Sequence, residues 1–245
     1  MDIRFCVFLV MALAWSTLVP ALASAQSEAE PKNQASVQFK AEPEWVTFNP
    51  SPHQSGRRRA EITAIIIHYT AGGSLEGAVG WFRNPNSKVS AHYVVGRSGG
   101  TVQMVPLSEA AWHAGRSQLA GKEGVNRFSV GIEVCNWGKL RKTEEGFVTY
   151  TGSKYRGPEP IQSADGAYWE PFTDEQYATL VKLCAYLTEK HPITHITGHS
   201  DIANPPGRKI DPGKGFQWEK IRAGLEDSFE GHIGPVETPP IDASN

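Results

Sequence analysis

The stretch AEITAIIIHYT, residues 60–70, constrains the fold more than any other part of the chain. Its apolar run is continuous rather than alternating, and rich in β-branched side chains. A strand with one wet face alternates, whereas a continuous run belongs to a strand covered on both faces. The rest of the chain must therefore supply partner strands and two layers of cover. SLEGAVGWFRNP follows as a short helix, with Ser74 as its N-cap and Pro85 as its stop. SAHYVVGRSGGTVQMVP reads as two short strands joined by a Gly-rich turn at 98–100. RFSVGIEVCNW, 127–137, is a further core strand. TDEQYATLVKLCAYLTEKHP is the clearest helix: Thr173 and Gln176 form a capping box, and Tyr177, Leu180, Val181 and Cys184 make one apolar stripe. ITHITGHS then gives a short strand. Strands interleaved with helices, with a hairpin in the middle, predict an α/β single domain with a central mixed β-sheet flanked by helices.

The chain of 245 residues suits one such domain with tails. Residues 1–25 combine an arginine, an apolar stretch and Ala23-Ser24-Ala25, the pattern of a secretory signal peptide cleaved after Ala25, with Ala23 as second choice. The apolar stretch is short for a membrane span. A periplasmic or secreted protein, without stable membrane insertion after cleavage, is expected. Residues 26–44 read as a flexible leader, 45–227 as the domain and 228–245 as a disordered tail. Cys6 leaves with the signal, so Cys135 and Cys184 are left either as a disulfide or as two buried thiols. The formal net charge is −2, and the only basic run, GRRR at 56–59, reads as a solvated loop, which excludes nucleic acid as a partner. Residues 138–172 break the α/β rhythm and read as an excursion that covers or extends the site. The aromatics Phe147, Tyr150, Tyr155 and Trp169 within it, with Trp137 just before it, fit a glycan groove as well as a core.

The densest chemistry lies in GHSDIANPPGRKIDPG, 198–213. Its prolines and glycines forbid a regular helix or a central strand along its length. Such a stiff loop suits side chains that must be held in place without secondary structure. His199 opens it at the end of a predicted strand, and His68 lies near the end of the most apolar strand, where α/β folds place ligands. Two histidines and a carboxylate from separate elements make a three-ligand zinc site with the fourth position open, the catalytic pattern. A lone histidine here is ordinarily structural; only the joint pattern has weight. Residue types alone leave the carboxylate open between Asp201 and Asp211.

AIIIHYTAGG, SAHYVVGRSGGTVQMVP, AWHAGRS, NRFSVGIEV and GHSDIANPPGRKIDPG occur in an order that resembles type 2 N-acetylmuramoyl-L-alanine amidases, the AmpD-like enzymes related to peptidoglycan recognition proteins. The resemblance implies one zinc ion bound by His68, His199 and Asp211, which selects Asp211 over Asp201. It implies Glu133 as catalytic acid/base and Lys209 as the residue that stabilises the transition state. The implied substrate is peptidoglycan or a muropeptide, cut between N-acetylmuramic acid and L-alanine by a hydrolase expected to be a monomer and to act in wall turnover or remodelling. A non-catalytic binding module on the same fold is the alternative, and would be expected to lack a ligand. Around the substrate we expect His92, facing either the cleft or the core, then Trp112, His113 and Arg116, with Asn126 fixing the loop before the Glu133 strand. His53, His191, His195 and His232 read as exposed or incidental. Relative to the family pattern the 199–211 loop is slightly longer, through Asn204-Pro205, and the 138–172 excursion is longer too.

Overall fold

The computed structural model describes residues 40–57 and 60–236. Residues 1–39, which hold the expected signal peptide and most of the expected leader, lie outside the described residues, as do 58–59 and 237–245. The described residues belong to one compact unit. At its centre is a seven-stranded sheet in the order Thr47–Phe48, Thr101–Gln103, Tyr93–Val95, Ser129–Val134, Ala64–Tyr69, His195–Gly198, His232–Ile233. All neighbours are parallel except the Tyr93–Val95 and Thr101–Gln103 pair, the predicted hairpin, so the sheet is mixed. The Ala64–Tyr69 strand sits near the middle with five of its six residues buried, as its continuous apolar run requires.

Alternation sends its side chains to two separate layers. Ile65 and Ile67 join Val130, Ile132, Val134 and Ile196 on one face, beneath helix α2 (Asp174–Lys190) and helix α4 (Trp218–Leu225). Ala64 and Ile66 face the other way, against Ala114, Leu119, Val125 and Ile202. Helix α1 (Leu75–Arg83) covers that side further along, through Val79 and Phe82 against Val94 and Met104. Helix α2 buries Leu180, Leu183, Cys184 and Leu187 completely. Each large apolar side chain buried this way contributes roughly 1.5–3 kcal/mol.

The helix starts follow their caps. The Ser74 side chain accepts from Gly77 N, and Thr173 and Gln176 exchange both bonds of a capping box. The Gln176 amide also donates to the Cys135 carbonyl at 2.8 Å, tying helix α2 to the end of the Ser129–Val134 strand. Cys135 and Cys184 belong to different core clusters and are free buried thiols, so the two do not form a disulfide.

Three expectations change. The excursion at 138–172 is not irregular: Lys139–Thr143, Gly146–Val148, Ile161–Gln162 and Tyr168–Trp169 form a second, antiparallel sheet of four strands. Glu170 joins it to the body by accepting from Trp137 N, pairing with Arg97 at 2.8 Å and accepting from the Tyr155 hydroxyl at 3.3 Å. The start of the supposed tail adds a strand, since His232–Ile233 pairs with His195–Ile196. Arg57, read as part of a solvated loop, is buried and donates to the carbonyls of Leu107, Arg127 and Ser129.

Candidate metal centre and cleft

Parallel strands that start level finish level, and here the finish is where chemistry collects. Gly198 pairs with Ile67, so the residue after it, His199, comes level with His68. His199 begins a single turn of helix α3 (His199–Ile202), which ends before the first proline of the loop, Pro205. The loop then folds back on itself: Ser200 N donates to the Asp211 carbonyl at 2.8 Å. A Cβ at Gly198 would lie 2.6 Å from the Pro212 ring, so only glycine lets the two ends of the loop meet. Arg208 pins the middle by donating to the carbonyls of Ala114 and Arg116 at 3.2 and 2.7 Å.

The result is a tight triangle. His68 Nδ1 lies 2.9 Å from Asp211 Oδ2 and 3.0 Å from His199 Nδ1, and His199 Nδ1 lies 3.0 Å from Asp211 Oδ2. All three residues are buried, and they are the one His/Cys/Asp/Glu group among the described residues that could hold a metal ion. His199 Nε2 lies 3.1 Å from the Ala114 carbonyl. A carbonyl only accepts, so the ring proton is on Nε2 and the Nδ1 lone pair points at the Asp211 carboxylate. Two acceptors at that distance call for a positive charge between them. Two imidazole nitrogens and one carboxylate oxygen match the donor set of a catalytic zinc site. Burial, and next the neighbouring His199, push His68 down to about 4, which keeps it neutral and able to ligate.

Asp201 is occupied elsewhere. Its Oδ2 accepts from Thr197 Oγ1 and from Gly198 N, both at 2.9 Å, and so caps helix α3. The choice between the two aspartates, open on residue types alone, falls on Asp211.

A cavity of about 520 Å³ opens on the triangle, lined also by Trp112, His113, Glu133, Arg208, Lys209 and Ile210. Glu133 is half-buried, and its Oε2 is buried without a hydrogen-bond partner. Burial, then the Asp211 charge, raise this carboxyl well above its usual range, with Lys209 opposing. An orphan carboxylate oxygen with a raised pKa in a cleft is a group poised for proton transfer. Of the five large apolar side chains exposed among the described residues, four (Trp81, Val89, Tyr150 and Ile210) line this cavity or one that adjoins it. Scattered apolar residues need no explanation, but four around one cleft mark a binding surface.

The residues expected around the substrate divide. Trp112 and His113 line the cavity. His113 is 92 % hidden, however, and its ring nitrogens face His68 and Ser129 rather than the cleft. His92 is fully buried, accepting from Gly131 N at Nδ1 and facing the Glu109 carbonyl with Nε2, so it cannot touch a substrate. Arg116 is exposed but turned away, donating to the Asn204 carbonyl and so bracing the lengthened part of the loop. Asn126 fixes backbone, as its Oδ1 accepts from His113 N and Ala114 N. His53, expected to be incidental, is buried and bonded to the Asn84 carbonyl. Sequence reading passed over Ser129 and Gly131 beneath His113, although both share the i, i+2, i+4 face of Glu133.

Comparison with known proteins comes to the same place. The family described as N-acetylmuramoyl-L-alanine amidase matches residues 58–214. The 1,6-anhydro-N-acetylmuramyl-L-alanine amidase AmpD of Haemophilus influenzae is 31% identical over 197 residues, covering 72% of this chain and 90% of that protein. AmpD of Enterobacter cloacae is 35% identical over 147 residues, 59% of this chain and 62% of its own length, so the chain spans less than two thirds of that relative. Among solved structures, a crystal structure of AmpD superposes with a TM-score of 0.52 at 27% identity, covering 74% of this chain and 94% of that one. AmiD from Escherichia coli, solved with the substrate anhydro-N-acetylmuramic acid-L-Ala-D-gamma-Glu-L-Lys, gives 0.52 at 28%, over 72% of this chain and 60% of that one.

Proposed function

The chain belongs to the N-acetylmuramoyl-L-alanine amidase family, and from that premise we propose that it is a zinc-dependent amidase. Its reaction is hydrolysis of the bond between N-acetylmuramic acid and L-alanine in peptidoglycan or muropeptides. The observation that carries this reading is the meeting of His68, His199 and Asp211 on a cavity that Glu133 and Lys209 also line. A binding module without catalysis would not need the last two beside a complete ligand set.

Zinc held by the three residues would supply Lewis acidity, polarising the amide carbonyl and making water acidic enough to react at neutral pH. An amide needs help at both ends, because its carbonyl is unreactive and its amine leaves poorly. Glu133 takes a proton from the attacking water and returns it to the departing L-alanine nitrogen. Its raised pKa suits both halves of that shuttle, since general acid–base groups work best with a pKa near the working pH. Lys209 carries the positive charge at the cleft that opposes the developing oxyanion; loss of one such donor typically costs ~10²–10³ in rate. Ile210, Trp81 and Tyr150 provide apolar surface for the sugar ring and the stem peptide.

The reading extends to location. The sequence pattern of residues 1–25 supports an export signal, and with it we propose that the enzyme works outside the cytoplasm, where peptidoglycan is found. No described helix is long and apolar enough to cross a membrane. The test is mass spectrometry of defined muropeptides after digestion with and without a zinc chelator. Release of intact stem peptides with a free L-alanine amine, abolished by the chelator, is expected. Uncut substrate, or cleavage inside the stem, would overturn the proposal.

A further inference from the structure

We propose that a relay running from His68 through His113 to Ser129 fixes the tautomer of the first histidine ligand, and that the Asn126-clamped His113–Ala114 segment fixes the tautomer of the second through the Ala114 carbonyl. The relay rests on the zinc reading for its purpose but on hydrogen-bond direction for its logic. Ser129 Oγ lies 2.7 Å from the Val125 carbonyl, which can only accept, so the hydroxyl proton points there. Ser129 Oγ therefore accepts from His113 Nε2, 3.1 Å away. With its proton on Nε2, His113 presents a lone pair at Nδ1, and this faces His68 Nε2 at 3.0 Å. His68 must then carry its own proton on Nε2. That leaves His68 Nδ1 as a lone pair, aimed at Asp211 Oδ2 and His199 Nδ1. Each direction follows from the one before, and the series ends on a backbone carbonyl.

The second ligand is served by the neighbouring residue. His199 Nε2 donates to the carbonyl of Ala114, which follows His113 in the chain. Both backbone N–H groups of this dipeptide donate to one atom, Asn126 Oδ1, at 3.2 and 2.7 Å. A single two-residue segment thus stands behind both imidazoles, and one amide oxygen holds the segment. The sheet makes room for it. Ser129, Gly131 and Glu133 share one face of their strand, and a Cβ at Gly131 would lie 2.4 Å from the His113 ring. His113 and Ser129 are both buried. His113 is a positioning residue, and its nitrogens are not free to grip a substrate.

The experiment uses the full chain and two readouts, zinc affinity by competition with a chelator and the ring ¹⁵N shifts of His68 in zinc-free protein. Thermal unfolding confirms that each variant is folded. Removal of an outer-shell partner typically weakens metal binding ~10–100-fold. We expect that loss for Ser129→Ala and for His113→Leu. His113→Gln should bind close to wild type, because its amide oxygen accepts from His68 and its NH₂ donates to Ser129. Were His113 only packing, leucine would be tolerated at least as well as glutamine. Unchanged zinc affinity in Ser129→Ala and His113→Leu, in a wild-type background that does bind zinc, would overturn the relay. A wild-type chain that binds no zinc would instead overturn the zinc reading. In that event the NMR arm still decides: His68 protonated on Nδ1 sinks the relay, and on Nε2 supports it.

Discussion

Glu133 faces His68 in register across two adjacent parallel strands, Ser129–Val134 and Ala64–Tyr69. Partners in register leave a sheet on the same face, and neighbouring strands run about 4.8 Å apart. The proposed acid/base and the first proposed metal ligand are thus held at a fixed spacing by backbone pairing rather than by side-chain contacts. Glu133→Gln keeps the shape and removes the proton acceptor. Turnover of a defined muropeptide should fall ~10²–10⁴-fold, the usual share of general acid–base catalysis, while bound zinc measured by elemental analysis stays at the wild-type level. A variant with near wild-type turnover would remove Glu133 from the reaction.

The two aspartates of the stiff loop should respond in opposite ways. Asp211→Ala takes an oxygen from the triangle and is expected to lose zinc. Asp201→Ala loses a cap at Thr197 and Gly198, at a cost of about 1 kcal/mol in unfolding experiments. It should retain its metal. Equal metal loss in both would mean that the helix α3 turn, rather than the Asp211 oxygen, holds the ion.

Much of this arrangement could be read from residue patterns because the controlling physics is local. A continuous β-branched run must be covered on both faces, and caps such as Thr173 with Gln176 act within one turn. The stiffness of 198–213 likewise announced a site, because prolines and glycines fix backbone wherever they stand. What escaped was decided by partners far along the chain. Arg57 sits in a basic run that resembles any exposed loop, yet it reaches carbonyls at 107, 127 and 129. His92 and His113 occupy similar-looking motif positions, and their burial depends on how tightly they pack against Gly131. The 138–172 segment hid its sheet because its strands are two to five residues long, too short for a periodic signal.

Tyr150 offers a test of the cleft rim that leaves the metal alone. It is 70% exposed and lines two cavities beside the site, so it contributes little to the core. Tyr150→Ala should leave the melting temperature and kcat unchanged and raise KM several-fold, about what the loss of one aromatic contact of ~1 kcal/mol gives. A change in kcat with KM constant would place Tyr150 in the chemistry instead of the binding surface.

Gly131→Ala tests whether the strand must yield space to the His113 ring. With the new methyl 2.4 Å from that ring, either the imidazole or the strand must move. Overpacking of this kind costs typically 1–3 kcal/mol. Urea unfolding should show that loss, accompanied by weaker zinc binding. Full stability together with full zinc affinity would mean that the ring has another place to go.

The pH dependence of stability follows from the buried histidines. His92 is held well below its ordinary pKa of 6.5, first by burial and next by the Arg57 charge. As the pH falls below 6.5 the unfolded chain takes up a proton at this site and the folded chain does not. More protons bound in the unfolded state means that stability rises with pH, so the contribution present above 6.5 is lost on acidification towards the depressed folded value. One such group gives a slope of about 1.4 kcal/mol per pH unit. In zinc-free protein His113, also well below 6.5, and His68, at about 4, act in the same sense, which makes the acid limb steep. His92→Gln keeps a polar amide among Gly131 N, the Glu109 carbonyl and the Arg57 guanidinium but removes one titration. Urea unfolding between pH 5 and 7 with chelator present should give a shallower slope than wild type, the difference growing to roughly one proton towards pH 5. Identical slopes would mean that His92 takes up its proton inside the fold, and that Arg57 and burial do not keep it neutral.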